Sequence, residues 1–178
     1  RSSDLSLISV GGGAAVAFNR TDSMVQGTDF GNIISGGGTV TQLGSGTLVL
    51  NGVNTYSGET KLVRGSLNLN SAASIGTSPL TISASTTLDN TSGSAVALSN
   101  NNTQTWNGSF TFLGSRDLDM GSGAVTLGAS STLTVNAATF SEGGVISGAY
   151  SLTKAGGGSL SLSGANTFSG GSPFRLER

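Results

Sequence analysis

Residues 44–58 read GSGTLVLNGVNTYSG, and 112 positions later residues 156–170 read GGGSLSLSGANTFSG. Nine of the fifteen aligned positions are identical, and Gly44, Gly46, Leu48, Leu50, Gly52 and Asn54 recur on every second residue. That is the period of a β-strand, whose successive side chains point to opposite faces. One face has been held constant between the two copies and the other has drifted. Leu48, Leu50, Leu160 and Leu162 are therefore expected to point inward, with Val49 and Ser161 outward.

Short apolar alternations of the same kind recur along the chain, for example at 66–69, 80–82, 86–89, 110–112, 124–127 and 132–135, separated by Gly, Ser, Asn and Asp clusters. Helical spacing is nowhere sustained. A two-sheet sandwich also places strands this often, but internal self-similarity of strand-turn units marks a solenoid, in which each coil buries its face against the next. The expected fold is all-β, a parallel β-helix without substantial α-helix. At about 20 to 25 residues per coil the chain makes roughly seven to nine coils, a rod of about 35 to 40 Å. The two copies are expected about five coils apart on the same side of the rod. The interior is expected to hold Leu48, Leu50, Leu67, Leu69, Leu80, Ile82, Phe110, Phe112, Val125, Leu127, Leu133, Val135, Leu160 and Leu162. Tyr56 and Phe168 are the paired aromatics of the two copies, fillers of a coil corner or else a ligand platform. Trp106 is the single tryptophan, read as core or edge packing, with sugar stacking as the alternative. Asn54 and Asn166 are expected to bond turn backbone, since Asn tolerates turns and carries both a donor and an acceptor.

With 29 glycines, 35% hydrophobic and 10% charged residues, the composition alone would suggest disorder. Disorder goes with high net charge and few β-branched residues, whereas here the net charge is −1 and short Val, Ile, Leu and Thr runs recur. There is no Cys and no His, which excludes disulfides, thiol catalysis, Cys/His zinc sites and a Ser-His relay. Eight Lys and Arg are scattered through a chain of pI 5.1, so no nucleic-acid surface is expected. No apolar stretch approaches a membrane span. Among the nine carboxylates only Asp117 and Asp119 form a local pair. Flanking Leu118, they should project from one outer face about 6.5 to 7 Å apart, within reach of acid-base spacing. With Arg116 alongside as a charge partner, a solvated charged face is the plainer reading than catalysis. Calcium-loop patterns are absent. No catalytic, cofactor or metal residue is expected, and no enzymatic activity.

The stretch GSGTLVLNGVNTYSGETKLVRGSLNLN resembles the autotransporter-associated β-strand repeat of bacterial passenger domains. The likeness lies in its Gly-rich lead-in, TLxL strand, N-T-Y-S-G turn and T-x-x-V-x-G-x-L exit. GGVISGAYSLTKAGGGSLSLSGANTFSGG is similar to the same unit again. The resemblance implies a right-handed, pertactin-like parallel β-helix, secretion or cell-surface display, and a role as stalk or scaffold. It divides the chain into residues 1–30, an N-terminal segment or degenerate first coil; 31–171, the repeat-bearing solenoid; and an atypical tail, 172–178. The structural-core set on this reading is Leu48, Leu50, Tyr56, Leu67, Leu69, Phe110, Phe112, Leu160, Leu162 and Phe168. The expected function is that of a surface passenger or the subunit of a secreted fibre. The alternatives are an adhesin or carbohydrate-binding module taking cell-surface glycans and, third, a polysaccharide-active enzyme. A solenoid with uncapped ends presents unpaired backbone groups, so self-association head to tail through Leu5, Leu7, Ser172 and Phe174 is expected, or else continuation of the same polypeptide.

Overall fold

The computed structural model describes residues 7–170 and the backbone of residues 175 and 176. The chain winds in about seven turns, with no helix among the described residues. The first coil carries β1 (Leu7–Ser9), β2 (Ala15–Phe18) and β3 (Ser23–Val25), and the second β4 (Ile33–Ser35), β5 (Thr39–Gln42) and β6 (Thr47–Leu50). In the next two coils only two faces form strands: β7 (Thr60–Leu62) and β8 (Ser66–Leu69), then β9 (Leu80–Ser83) and β10 (Thr86–Asp89). Three strands per coil resume with β11 (Val96–Ala97), β12 (Gln104–Asn107) and β13 (Phe110–Phe112), followed by β14 (Leu118–Asp119), β15 (Val125–Leu127) and β16 (Ser131–Val135). The last full coil holds β17 (Thr139–Glu142), β18 (Ile146–Ser147) and β19 (Leu152–Ala155), and β20 (Ser159–Leu162) and β21 (Arg175–Leu176) begin another.

Every pairing between named strands is parallel and joins one coil to the next. One face is an eight-stranded sheet running from β3 to β21, the second a seven-stranded sheet from β2 to β18. The third face holds β1 and β4 at one end and β11, β14, β17 and β20 at the other. Between them single backbone bonds carry the stack, Thr55 donating to Ile34 and Ser99 to Ala72. The register pairs Leu48 with Leu67, Leu88 with Phe112 and Leu7 with Ile33, so a coil takes about 19 to 26 residues.

That spacing puts like side chains in line. Met24, Leu48, Leu67, Leu88, Phe112 and Val135 stack as one inward ladder, and Gln42, Leu62, Ile82, Trp106 and Leu127 as another. Outward, Thr41, Lys61, Thr81, Thr105, Thr126 and Ser147 form a polar file. Each buried Leu, Val or Phe contributes about 1.5 to 3 kcal/mol relative to exposure. Mid-rod the core is aromatic: Trp106 meets Phe110 edge-on at 5.1 Å, and Phe140 lies 5.3 Å from Phe112.

The two copies do not lie on the same side. β6 belongs to the eight-stranded sheet and β20 to the third face. Five coils carry the chain from β6 to β19, and the second copy's strand comes one strand later, so 112 residues is not a whole number of coils. Several strands also arise where the sequence shows linkers. β12 and β17 are among them, because Gln104 and Glu142 occupy inward positions that pattern reading reserves for apolar residues. β2 and β3, within the first thirty residues, join the two long sheets.

Candidate functional site

What the repeat does is legible at its turn. The Asn54 side chain accepts through Oδ1 from the Ile34 amide at 2.7 Å, one coil behind, while Thr55 and Ser57 donate to the Ile34 and Gly36 carbonyls. In the second copy Asn166 Oδ1 accepts from the Ile146 amide at 2.8 Å, while Thr167 and Ser169 donate to Ile146 and Gly148. The bonds are the same on different faces of the rod, so the motif needs only the coil beneath it. Both Asn side chains thus bond backbone of the preceding coil rather than of their own turn.

Glycine is required at the start of this turn for close approach. A Cβ on Gly52 would sit 2.3 Å from the Asn32 carbonyl oxygen, and one on Gly164 2.0 Å from that of Gly144. A further shared device was not apparent in the sequence. Gln42, just before the first Gly turn, donates from Nε2 to the Gly44 and Gly46 carbonyls, both at 2.9 Å. Lys154, at the matching place before the second, donates from Nζ to the Gly156 carbonyl. In each case a long inward side chain reaches two residues forward and satisfies a turn oxygen that burial would otherwise leave bare. The signal is a Gln or Lys two residues before G-x-G, hidden because a single such residue reads as surface.

The copies differ in what lies above them. Asn54 is 2% exposed and also donates through Nδ2 to the Ser74 carbonyl, on the coil ahead, and to Gln26 Oε1. Tyr56 is fully buried, its hydroxyl 2.7 Å from Thr60 Oγ1, which in turn lies 2.6 Å from Ser78 Oγ. Burial pushes the Tyr56 hydroxyl up to about 12, against the opposing effect of its hydroxyl partners. Phe168 replaces it in the second copy and is only half-buried, as are Leu160 and Leu162. Among the described residues β20 pairs on one side only, with β17.

Leu48, Leu50, Leu67, Leu69 and Phe112 are fully buried and Phe110 nearly so. Trp106 is fully buried with its Nε1 donating to Gln104 Oε1, which leaves no ring face for a sugar. Val49 points away from the core but is covered by its neighbours Val25 and Asn68 in the ladder. At the opposite end of the rod from β20, Ile8, Val16 and Met24 are half-buried, and Leu7 on β1 is 53% exposed. Leu5, Ser172 and Phe174 lie outside the described residues.

The carboxylate pair is committed to backbone. Asp117 Oδ1 accepts from the Thr139 amide of the next coil at 2.8 Å, and Asp119 Oδ1 from the Gly121 amide at 2.9 Å. Arg116 does not serve them: its guanidinium donates to the Gly93 and Ser115 carbonyls. Beside Asp119 a shallow polar groove of about 410 Å³ runs over four coils, lined by Asn101, Ser122, Ser141, Ser161 and Ser163.

Residues 40–69 and 152–172 match the model of the passenger-associated-transport-repeat family. These two segments are similar to the passenger-associated transport repeat. Each match takes in a Gly turn, its Gln or Lys donor and the Asn turn, so the family pattern coincides with the coil-stacking unit. Residues 70–151, between the repeats, coil in the same sheets without matching. No curated protein and no solved structure matches the chain.

Proposed function

We propose that the chain is a length of extracellular, non-enzymatic rod, a bacterial surface passenger or fibre segment whose end coils are built to accept further coils. The supporting observation is the distribution of half-buried apolar side chains. Apart from Phe30 they occur at the two ends of the rod, Ile8, Val16 and Met24 at one and Leu160, Leu162 and Phe168 at the other. Strand direction is the same at both ends, so head-to-tail stacking continues every parallel sheet. Such contacts are heterologous and build filaments unless they close into a ring. With apolar contacts and backbone bonds as its glue, the assembly resists salt.

Electron microscopy with sedimentation at rising protein concentration tests this. The wild-type chain should lengthen into rods, whereas Val16→Asp should block one end and Phe168→Asp the other. A mixture of the two variants should stop at dimers joined through their intact ends. Chains that stay monomeric at all concentrations, or rods that persist in both variants, contradict end stacking. Deleting residues 1–10 should likewise abolish filaments. A screen against neutral and acidic polysaccharides should find no cleavage. Activity lost on Asp117→Asn or Asp119→Asn would overturn the structural role.

A second reading, glycan binding, is favoured by the polar groove at Asp119 and Ser141. Its hydroxyls and carboxylate offer donors and acceptors suited to a polyhydroxylated ligand. A glycan array on wild-type protein and on Asp119→Ala distinguishes it, binding lost in the variant being the supporting result.

A further inference from the structure

The interior of the rod is mostly apolar along its middle coils, and Glu142 places a fully buried carboxyl within it. On β17 it points inward with no exposure, next to Leu162 of the edge strand in the register of the sheet. Oε2 accepts from Gln104 Nε2 at 2.5 Å, and Oε1 from the Gly144 amide at 2.9 Å. Gln104 is itself held, taking the Trp106 indole N–H on Oε1 at 3.1 Å. Two neutral donors are a thin replacement for the hydration of a full negative charge.

The charged groups around it do not make up the difference. β14 contributes Asp119, which is of the same sign, and β19 contributes Lys154, whose Nζ is given to the Gly156 carbonyl. β12, β15, β18 and β20 carry no ionisable side chain. Burial, opposed by the Gly144 and Gln104 hydrogen bonds and helped by Asp119, pushes the Glu142 carboxyl up to about 7 from an ordinary 4.5.

We propose that Glu142 is a proton-controlled lock on the end of the rod: the neutral carboxyl keeps the coil from β20 to residue 170 packed, and its ionisation favours local opening of that coil. The opening falls on this side because the coil beneath, with β14, is paired on both sides, whereas β20 has a single partner among the described residues. Opening it breaks one ladder and gives the carboxylate a path to water past half-buried Leu162. Regions that open at low cost are those with few buried contacts and one-sided hydrogen bonding. A rod that stacks through this end would therefore present a well-ordered coil in mildly acidic surroundings and a looser one at neutral pH and above.

The sign follows from linkage. A carboxyl whose folded value is raised contributes stability that is full below its unfolded value and is lost as pH rises through the folded one. The equilibrium for opening should therefore rise about tenfold per pH unit between about 5 and 7 and level off above. Hydrogen exchange on the whole chain, corrected for intrinsic rates, reads this at the β20 amides and at Ser163, Thr167 and Ser169, which donate to Glu142, Ile146 and Gly148. Protection there should fall over that range, while β8 and β10 stay unchanged, and Glu142→Gln should remove the slope. A flat wild-type profile, an equal slope in Glu142→Gln, or an equal loss at β8 and β10 would each overturn the lock. Should Glu142→Gln fail to fold, a carbon-13 titration of the wild-type Glu142 carboxyl decides. A midpoint near 7 supports the lock, and one near the ordinary 4.5 overturns it.

Discussion

At the scale of single residues, the same side chain has different worth in the two repeats, because one is roofed and the other is not. Asn54 bonds both neighbouring coils and Gln26, so Asn54→Ala strands several buried groups and should cost about 2 to 3 kcal/mol. Asn166→Ala loses the bond to Ile146 at a half-buried position and should cost about 1 kcal/mol. Denaturant midpoints of the two variants measure the difference, and equal costs would contradict the one-sided environment of the second copy. Leu50→Asp places an unpaired carboxylate in a fully buried position and should destabilise by more than about 4 kcal/mol. Thermal melts check it, and a variant that melts like the parent would refute the inward assignment. Glu142 adds a pH term. Its raised folded value makes global stability fall by about 2 to 3 kcal/mol as pH rises from about 5 to above 7, a trend that denaturation at several pH values should show and that Glu142→Gln should abolish.

At the scale of elements, glycine and register decide what can stack. Gly52→Ala and Gly164→Ala both push a methyl into the carbonyl of the coil beneath, and each should lower the melting temperature although neither position has a left-handed backbone. A substitution that leaves the melt unchanged would mean the coils lie farther apart than described. Strands were legible in the sequence at β6, β8, β10, β13 and β20, whose bounds match the apolar alternation, but not at β2 and β4, although Phe18 and Ile34 are buried there. They were not legible where polar side chains turn inward. Gln104 and Glu142 hide β12 and β17, and weak alternation in SMV hides β3. The role of Asn at the turn could be foreseen from its chemistry, but its partner on the previous coil could not, since that depends on coil length. The same dependence placed the second copy on another face: coils vary between about 19 and 26 residues, and pattern reading assumes one length.

At the scale of the molecule, the rod is a set of parallel ladders whose spacing makes one coil the template for the next. Because each coil's strands pair only with those of its neighbours, stability accrues largely coil by coil and the ends are the weak points. That one property underlies the proposed stacking role, the proposed proton-sensitive end and the tolerance of the repeat to a change of face. It also fixes which side chains become neighbours across a full turn of chain. The chain contains no cysteine, so an introduced pair reports on this without interference. Thr105 and Thr126 are register partners on the outer surface of adjacent coils, with Cα atoms at a separation of about 4.8 Å, within the range a disulfide spans. Under mild oxidation Thr105→Cys with Thr126→Cys should close an intramolecular disulfide quantitatively and without loss of fold, while Thr105→Cys with Ser130→Cys should remain reduced. An open register pair, or an off-register pair that closes as readily, would contradict the coil-on-coil architecture on which the account rests.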